Sequence, residues 1–366
     1  MALLLLTCKG EQPLPDLTIP DQYDGSTFAA HTADEQGLLD QLSTLTNLMK
    51  TGRTGATVSA SDLRDAWNPG GTIILPNRTR AEYAEAIADP GGWLDQLAEA
   101  SGGTYDPFDP NSPGGVYGGY LFAPGGIELE QRIEKGLFGA ALFEHLRQLP
   151  LSEGDPAIAD QALAIYGTSP LFPNSDNGSL HSIPDAFLAK YAARRDQNDG
   201  NGLYTQMQEA LIYLQAALQA GPEYRNSWGV AWEQVLTLYE RITAATILNY
   251  LHSSIAAFSS TNPDEATLAG GLHALSEAVG FLHGLRGLPR DCIGTCPGLS
   301  DQEIADLLTL MEAPIDGPAR LDRFVQEPFT YVPQLQQALE DLQVAYQFSD
   351  QEVSDFRFNW VNEQGR

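Results

Sequence analysis

Apolar residues recur at intervals of three and four along most of this chain, and this spacing places them on one face of an α-helix. The clearest seam alternates four and three residues, as helices in a bundle do, through Leu268, Leu272, Leu275, Val279 and Leu282. Residues 38–49 and 203–218 repeat the pattern, and residues 228–258 continue it for about eight turns. No run of alternating β-branched residues is long enough to predict a sheet. The spacing therefore predicts an all-α fold built as a large helical bundle.

With 366 residues, the chain is long enough for one large helical domain or for two packed bundles. We place the domain at residues 28–350, with the alternative of two halves at 28–200 and 201–350, and a C-terminal tail at 351–366. The longest predicted loop, residues 102–126, carries five aromatic side chains among turn-forming residues. Two of them, Tyr117 and Tyr120, either line a ligand pocket over Glu128 or anchor the loop on the bundle.

The N-terminus reads MALLLLTCKG, a short apolar run that stops at Cys8. This pattern is typical of the end of a bacterial lipoprotein signal, with residues 1–8 as the signal remnant and 9–27 as a tether. The missing basic residues before the leucines and the large Thr7 disagree with it, and the alternative is an apolar N-terminus packed on the domain. No other segment approaches the ~18 apolar residues of a membrane span. We expect an extracytoplasmic protein, on the cell surface or in the periplasm, that contacts the membrane through its lipid alone.

The chain is strongly acidic, with 48 acidic against 20 basic residues and a formal net charge of -28. Two interpretations stay open: adaptation to high salt, and an acidic extracytoplasmic protein kept soluble by its charge. Either way, so negative a field opposes nucleic acids and anionic lipid surfaces. Cationic ligands and metal ions are electrostatically easier partners.

The two other cysteines, Cys292 and Cys296, lie close together in the segment DCIGTCPG. A redox motif normally has two residues between its cysteines, and a zinc site needs further Cys or His nearby. Outside the cytoplasm, a disulfide that closes this small loop is the natural interpretation.

Polar side chains are concentrated in the segment GGIELEQRIEKGLFGA, residues 125–140. At helical spacing, Glu128, Gln131 and Lys135 lie on or near one face, and Glu134 extends the row by a turn. The segment is either a ligand site or buried polar network, or a solvated helix face with ordinary pairing to Lys135 or Arg132.

A second group of polar residues, His273 and Glu277, stands four residues apart on a later predicted helix, with Gly280 one turn beyond. Such a pair can hold one metal ion, or it can form a hydrogen bond that fixes helix packing. If Glu128 and Glu134 face Glu277 across the bundle, their carboxylates suit iron or another hard cation. We therefore name Glu128, Glu134, His273 and Glu277 as candidate metal ligands.

Three segments together resemble a bacterial lipoprotein family of unknown function that is related to the imelysin-like, iron-regulated surface proteins. They read HTADEQGLLDQLSTLTNLMKTG, GGIELEQRIEKGLFGA and GLHALSEAVGFLHGLRGLP, and the resemblance covers most of residues 25–345. It implies an all-helical surface or periplasmic domain with a role near iron or haem acquisition. Imelysin-like proteins carry a Gly-x-His-x-x-Glu motif, whose nearest match here is Gly126, Glu128 and Gln131. Because the histidine and glutamate are replaced, a zinc-peptidase reading of the motif loses its best ligand and its base.

Other catalytic patterns are weak. SLHS at residues 179–182 lacks a nucleophile elbow, and DQNDGNG at 196–202 departs from the EF-hand spacing, so we expect it to cap the next helix. We favour a non-enzymatic binding or accessory lipoprotein for iron, haem or a cationic ligand, working beside an outer-membrane transporter or receptor. Candidate ligand-binding residues are Glu128, Gln131, Tyr117, Tyr120 and Glu277. The alternatives are an imelysin-like hydrolase and an interaction module without a small ligand.

Overall fold

The computed structural model describes residues 14–288 and 298–366, and helices account for most of them. The predictions for Cys8, Cys292 and Cys296 lie outside the described residues. The α-helices are α1 Phe28–His31, α2 Ala33–Lys50, α3 Ala60–Trp67, α4 Leu75–Arg78, α5 Ala81–Ala88, α6 Trp93–Ala100, α7 Leu129–Leu137, α8 Glu144–Arg147, α9 Ala157–Tyr166, α10 Phe187–Arg195, α11 Leu203–Ala220, α12 Arg225–Phe258, α13 Glu265–Gly284, α14 Asp301–Leu310, α15 Arg323–Gln326, α16 Pro328–Tyr346, α17 Asp350–Asp355 and α18 Trp360–Gln364. The all-α prediction is confirmed.

The long helices coincide with the apolar seams of the sequence, because their apolar residues face a shared core. Helix α12 packs against α11 and α13, and α13 packs in turn against α7. One hydrophobic cluster runs from Tyr23 to Val361. The suggested halves, 28–200 and 201–350, therefore meet in a single core rather than enclosing one each.

Side-chain caps fix several helix starts. Asp264 accepts a hydrogen bond from the Thr267 N–H at the start of α13. Asp196 accepts the N–H groups of Tyr204 and Thr205 at 3.0 and 3.1 Å, so the segment DQNDGNG caps α11 as the sequence predicts. Among the described residues, no helix is long and apolar enough to cross a bilayer.

Helices α7 and α13 approach very closely because glycines line their crossing. A Cβ atom on Gly280 would lie 2.7 Å from the carbonyl oxygen of Gln131, and one on Gly284 would lie 2.3 Å from that of Gly136. No larger residue fits without movement of the backbone. This crossing brings the two polar segments of the sequence together.

A π-helical turn, Phe138–Phe143, continues α7 into α8. Such turns leave carbonyl groups without their usual helical partners. Here the backbone N–H of Arg80 donates to the carbonyl oxygen of Ala140 at 2.9 Å, and its Nη1 donates to that of Gly139 at 3.2 Å. The irregular turn is thus held by a residue outside its own helix.

The long loop at 102–126 is more ordered than the sequence suggested. It contains a hairpin of two strands, β1 Gly115–Tyr117 and β2 Tyr120–Phe122, in which Tyr117 pairs with Tyr120. Gly118 and Gly119 between them have φ of 54° and 86°, the positive values that a two-residue hairpin turn needs. The expectation of no sheet is wrong for these six residues, which are too few to show alternation.

Both ends of the described chain pack more tightly than a tether and a tail. The Tyr23 hydroxyl donates to Asp160 at 2.8 Å, and Thr27 donates to the same carboxylate at 2.8 Å. At the other end Phe356, directly after α17, and Val361 of α18 are buried. The last part of segment 9–27 and the tail 351–366 therefore belong to the helical domain, because each buries side chains in its core.

Candidate functional site

Helices α7 and α13 bring Glu128 and Glu277 to opposite sides of one imidazole. Glu128 is the residue before α7, and its backbone N–H donates to Ser276 Oγ of α13 at 2.9 Å. His273 Nδ1 lies 2.5 Å from Glu128 Oε2, and His273 Nε2 lies 3.4 Å from Glu277 Oε2. Glu128 has no exposed surface, whereas the His273 side chain is 21% exposed. The two carboxylates thus converge across the bundle with His273 at the solvent edge.

Three permanent cations lie among these acids. Arg53 Nη2 lies 2.8 Å from Glu128 Oε1 and also pairs with Glu130. Lys135 Nζ lies 2.8 Å from Glu134 Oε2 and 3.5 Å from Glu277 Oε1. The third cation is Lys50. We use the name charge cluster for the eight residues Lys50, Arg53, Glu128, Glu130, Glu134, Lys135, His273 and Glu277.

Lys50 lies at the wet side of the charge cluster, where its side chain is 40% exposed. Its Nζ stands 3.8 Å from Glu130 Oε1 and 3.9 Å from Glu134 Oε2. On the inner side, the Tyr250 hydroxyl donates to Glu277 Oε1 at 2.9 Å. Every carboxylate of the cluster therefore has a donor or a cation beside it.

Burial and neighbouring charges move the acids of the cluster in opposite directions. Burial raises the pKa of Glu130 well above its usual range, and the nearby carboxylates of Glu128 and Glu134 raise it further. Burial also disfavours the charged form of Glu134, but Lys135 and Lys50 outweigh it and lower this pKa to about 2. Glu134 is therefore ionised at neutral pH, and Glu130 is the carboxylate of this pair that holds a proton more readily.

Lys135 is one of the most enclosed cations of the cluster. Burial by itself lowers the pKa of the ammonium, but Glu134, Tyr191 and Glu277 outweigh burial and raise the pKa well above its usual value. Its Nζ also lies 5.4 Å from the centre of the Tyr191 ring. Lys135 is thus a fixed positive charge beneath Glu277.

The hairpin covers the charge cluster through Tyr120. The Tyr120 ring stacks on the His273 ring, with 4.3 Å between centres and 19° between planes. The Arg53 guanidinium lies 5.1 Å from the centre of the same ring. Burial, together with the Glu128 carboxylate, raises the pKa of the Tyr120 hydroxyl. Tyr117 on the other strand lies edge-on against Tyr105, at 6.4 Å between ring centres.

Gln131 points to a neighbour on its own helix. Its Nε2 donates to both oxygens of Glu130, at 3.1 and 3.0 Å, while its Oε1 is buried without a hydrogen-bond partner. The alternative of a solvated helix face is wrong for Glu128 and Gln131, because the α7–α13 crossing encloses both. The acids of this row form ion pairs with Lys135 and Arg53 rather than with Arg132.

The charge cluster contains carboxylates and an imidazole, which are metal-binding groups, but its carboxylates contact cationic side chains instead. Among residues 14–288 and 298–366, no group of three or more His, Cys, Asp or Glu side chains is arranged to hold a metal ion. The acids turn instead toward Arg53, Lys50 and Lys135. The metal assignment of Glu128, Glu134, His273 and Glu277 stays a prediction, and so does the ligand-binding role of the residues around Tyr120.

Sequence reasoning missed Arg53 and Lys50, which lie on or next to a short 3-10 turn, Thr51–Thr54, after α2. Nothing local marks either residue as a partner of acids more than 70 positions away. The hairpin did carry a signal, since paired glycines between two short aromatic runs are typical of a two-residue turn.

Comparisons with known proteins add no relative. No family model, no curated protein and no solved structure matches this chain. The similarity to imelysin-like surface proteins therefore stays an expectation from the three sequence segments, and the site has to be interpreted from its own geometry.

Proposed function

We propose that this chain is a binding or accessory protein on the extracytoplasmic side of a membrane, and that its charge cluster binds one additional cation at His273. The observation that carries the proposal is the position of His273, whose two ring nitrogens face Glu128 and Glu277. A neutral imidazole has one N–H and one lone pair, so one nitrogen would direct its lone pair at a carboxylate. An imidazolium, or a cation bound in place of its proton, removes this repulsion.

The charges of the cluster support the same proposal. Four carboxylates stand against three permanent cations, Lys50, Arg53 and Lys135, so the set is balanced either by one proton, which the raised pKa of Glu130 favours there, or by one added cation. An added cation would bind near His273, since this side chain reaches solvent at the edge of the hairpin. A small cation, including iron, enters there if Tyr120 moves from the imidazole face.

Metal analysis of the purified protein tests this proposal. After incubation with ferric citrate or zinc chloride and removal of the excess, we expect about one metal ion per chain, with binding weakened by excess protons because protons compete with a metal for its ligands. Glu128→Gln and His273→Gln should lose the metal. Glu233→Gln is the matched control, since Glu233 is exposed on α12.

Several results would contradict this proposed function. Equal metal content in the wild type, Glu128→Gln and His273→Gln would remove the cluster as the cation site. Cleavage of unfolded casein that depends on Glu128 and His273 would favour the hydrolase instead. Absence of metal in the wild type and in every variant would contradict the cation site.

The membrane anchor is a separate part of the proposal and has its own test. Its support is the sequence around Cys8. Radiolabelled palmitate should enter the wild-type protein in a bacterial host, and Cys8→Ser should abolish both the label and recovery with membranes. Unlabelled protein in the soluble fraction would contradict the anchor, and with it the suggested work beside a membrane transporter or receptor.

A further inference from the structure

A second polar centre lies on the other side of α7, away from the charge cluster. A cavity of about 500 Å³ opens between α5, α6, the start of α7 and the end of α13. Its walls include Trp93, Ile127, Leu129 and Ile315. A cavity of this size and character is within the range of small-molecule sites.

Arg132 lines this cavity and has no acidic partner among the described residues. It is 8% exposed, its Nη2 lies 3.3 Å from His283 Nδ1, and its guanidinium lies 4.2 Å from the centre of the Trp93 ring. Its Nε is buried without a hydrogen-bond partner. Burial lowers the pKa of Arg132 to about 10, so the group is still charged at neutral pH.

This lack of a partner stands out in a chain with 48 acidic and 20 basic residues. Partly buried Arg53 and Arg80 pair with Glu128 and Glu144, whereas buried Arg195, which does not line this cavity, donates to the Phe356 carbonyl oxygen at 3.1 Å. A buried charge without a counterion is costly, so a site of this kind is expected to be completed by an anion.

His283 adds an N–H donor next to Arg132. Burial, with the positive charges of Arg132 and Arg286, lowers the pKa of His283 well below its usual value, so its ring is neutral. Its Nδ1 accepts from Arg132, and the remaining nitrogen therefore carries the N–H. Arg132 Nε, which has no acceptor, and the neighbouring His283 N–H favour a ligand with acceptor oxygens at this end of the cavity.

We propose that this cavity binds a small organic carboxylate, with its carboxylate on Arg132 and its carbon skeleton against Trp93 and the apolar wall. One unpaired cation matches one negative charge, because Arg286 already pairs with Glu82 at 3.0 Å. The planar guanidinium fits a carboxylate through two parallel hydrogen bonds. Exposed Glu99 at the rim disfavours a dianion such as phosphate.

Isothermal titration calorimetry with sodium benzoate tests the proposal, with benzamide as the neutral ligand of the same shape. We expect benzoate to bind the wild-type protein at pH 7.5 roughly 10- to 100-fold more tightly than benzamide, the usual range for a charged hydrogen bond. Arg132→Met should lose this difference. Arg225→Met is the control, since Arg225 lies at the start of α12 and its Nη2 donates to the Ser152 carbonyl.

Arg132→Met should remain folded, because methionine fills the space and removes an unpaired buried charge. Its thermal midpoint without ligand should equal or exceed that of the wild type, and benzoate should raise only the wild-type and control midpoints. If this variant does not fold, the comparison of benzoate with benzamide on the wild-type protein still tests the proposal. Equal binding of the two ligands, no benzoate binding up to about 20 mM, unchanged binding in Arg132→Met, or tighter binding of inorganic phosphate would overturn the proposal.

Discussion

Replacement of Gly280 by alanine tests whether the glycine-lined crossing builds the candidate site. The new Cβ would lie 2.7 Å from the Gln131 carbonyl oxygen, 3.0 Å from Lys135 Cβ and 3.1 Å from Arg132 Cα. Ordinary contacts of a Cβ begin at 3.4 Å, so α7 and α13 must separate by several tenths of an ångström. Because His273 and Glu277 lie on α13, this movement also changes their distances to Glu128 and Lys135.

The size of the effect follows from a matched control on the same helix. A Cβ atom on Gly270 would have no neighbouring atom within 4 Å. Alanine gains about 1 kcal/mol of helix propensity over glycine at both positions. Overpacking typically costs about 1–3 kcal/mol, and only Gly280→Ala incurs it. The difference between the two variants should therefore be about 1–3 kcal/mol, with Gly270→Ala the more stable.

Urea unfolding followed by circular dichroism measures this difference. With a slope of about 3 kcal/mol/M, the midpoints should be separated by about 0.3–1 M. Loss of the His273–Glu128 contact should appear in the same variant as a changed His273 NMR signal. Equal midpoints for Gly280→Ala and Gly270→Ala would show that the crossing is looser than described, and the argument that glycines set the site's geometry would fail.

One further substitution and one truncation have defined outcomes. Glu130→Gln should be more stable than the wild type at pH 8, because the raised pKa of Glu130 means that its charged form opposes folding; this advantage should shrink as the pH falls toward 4.5. Chemical unfolding at both pH values checks it, and an equal or lower stability at pH 8 contradicts it. Truncation after residue 350 should lower stability by roughly 5 kcal/mol or more, since Val353, Phe356 and Val361 are buried. An unchanged urea midpoint would show that this segment is a dispensable tail.

The long helices were predictable because their apolar residues repeat over many turns. The seam at Leu268 and Leu272 corresponds to α13, and residues 228–258 fall within α12. The short helices and strands contain too few residues to show a repeat of apolar positions. The C-terminal helix α17 nevertheless carries a local signal, since Ser349 and Glu352 form a capping box that marks its start.

The site was predictable only in part. Helical spacing places Glu128 on one helix and His273 with Glu277 on another, and it allows the hypothesis that they meet. It does not reveal the cations that neutralise them, because Arg53 reaches Glu128 from a turn 75 positions earlier. The unpaired state of Arg132 is also invisible in the sequence, since it depends on which acids the fold leaves distant.

The π-helical turn at residues 138–143 has a consequence for how the chain tolerates insertion and deletion. It contains one residue more than an α-helical path would, so the side chains after it are rotated by about 100° relative to those before it. This offset lets α7 direct Lys135 toward α13 while α8 directs His145 to Glu35 of α2, at 3.2 Å. Deletion of a single residue here would keep the helix intact and yet turn one of these two faces away from its partner.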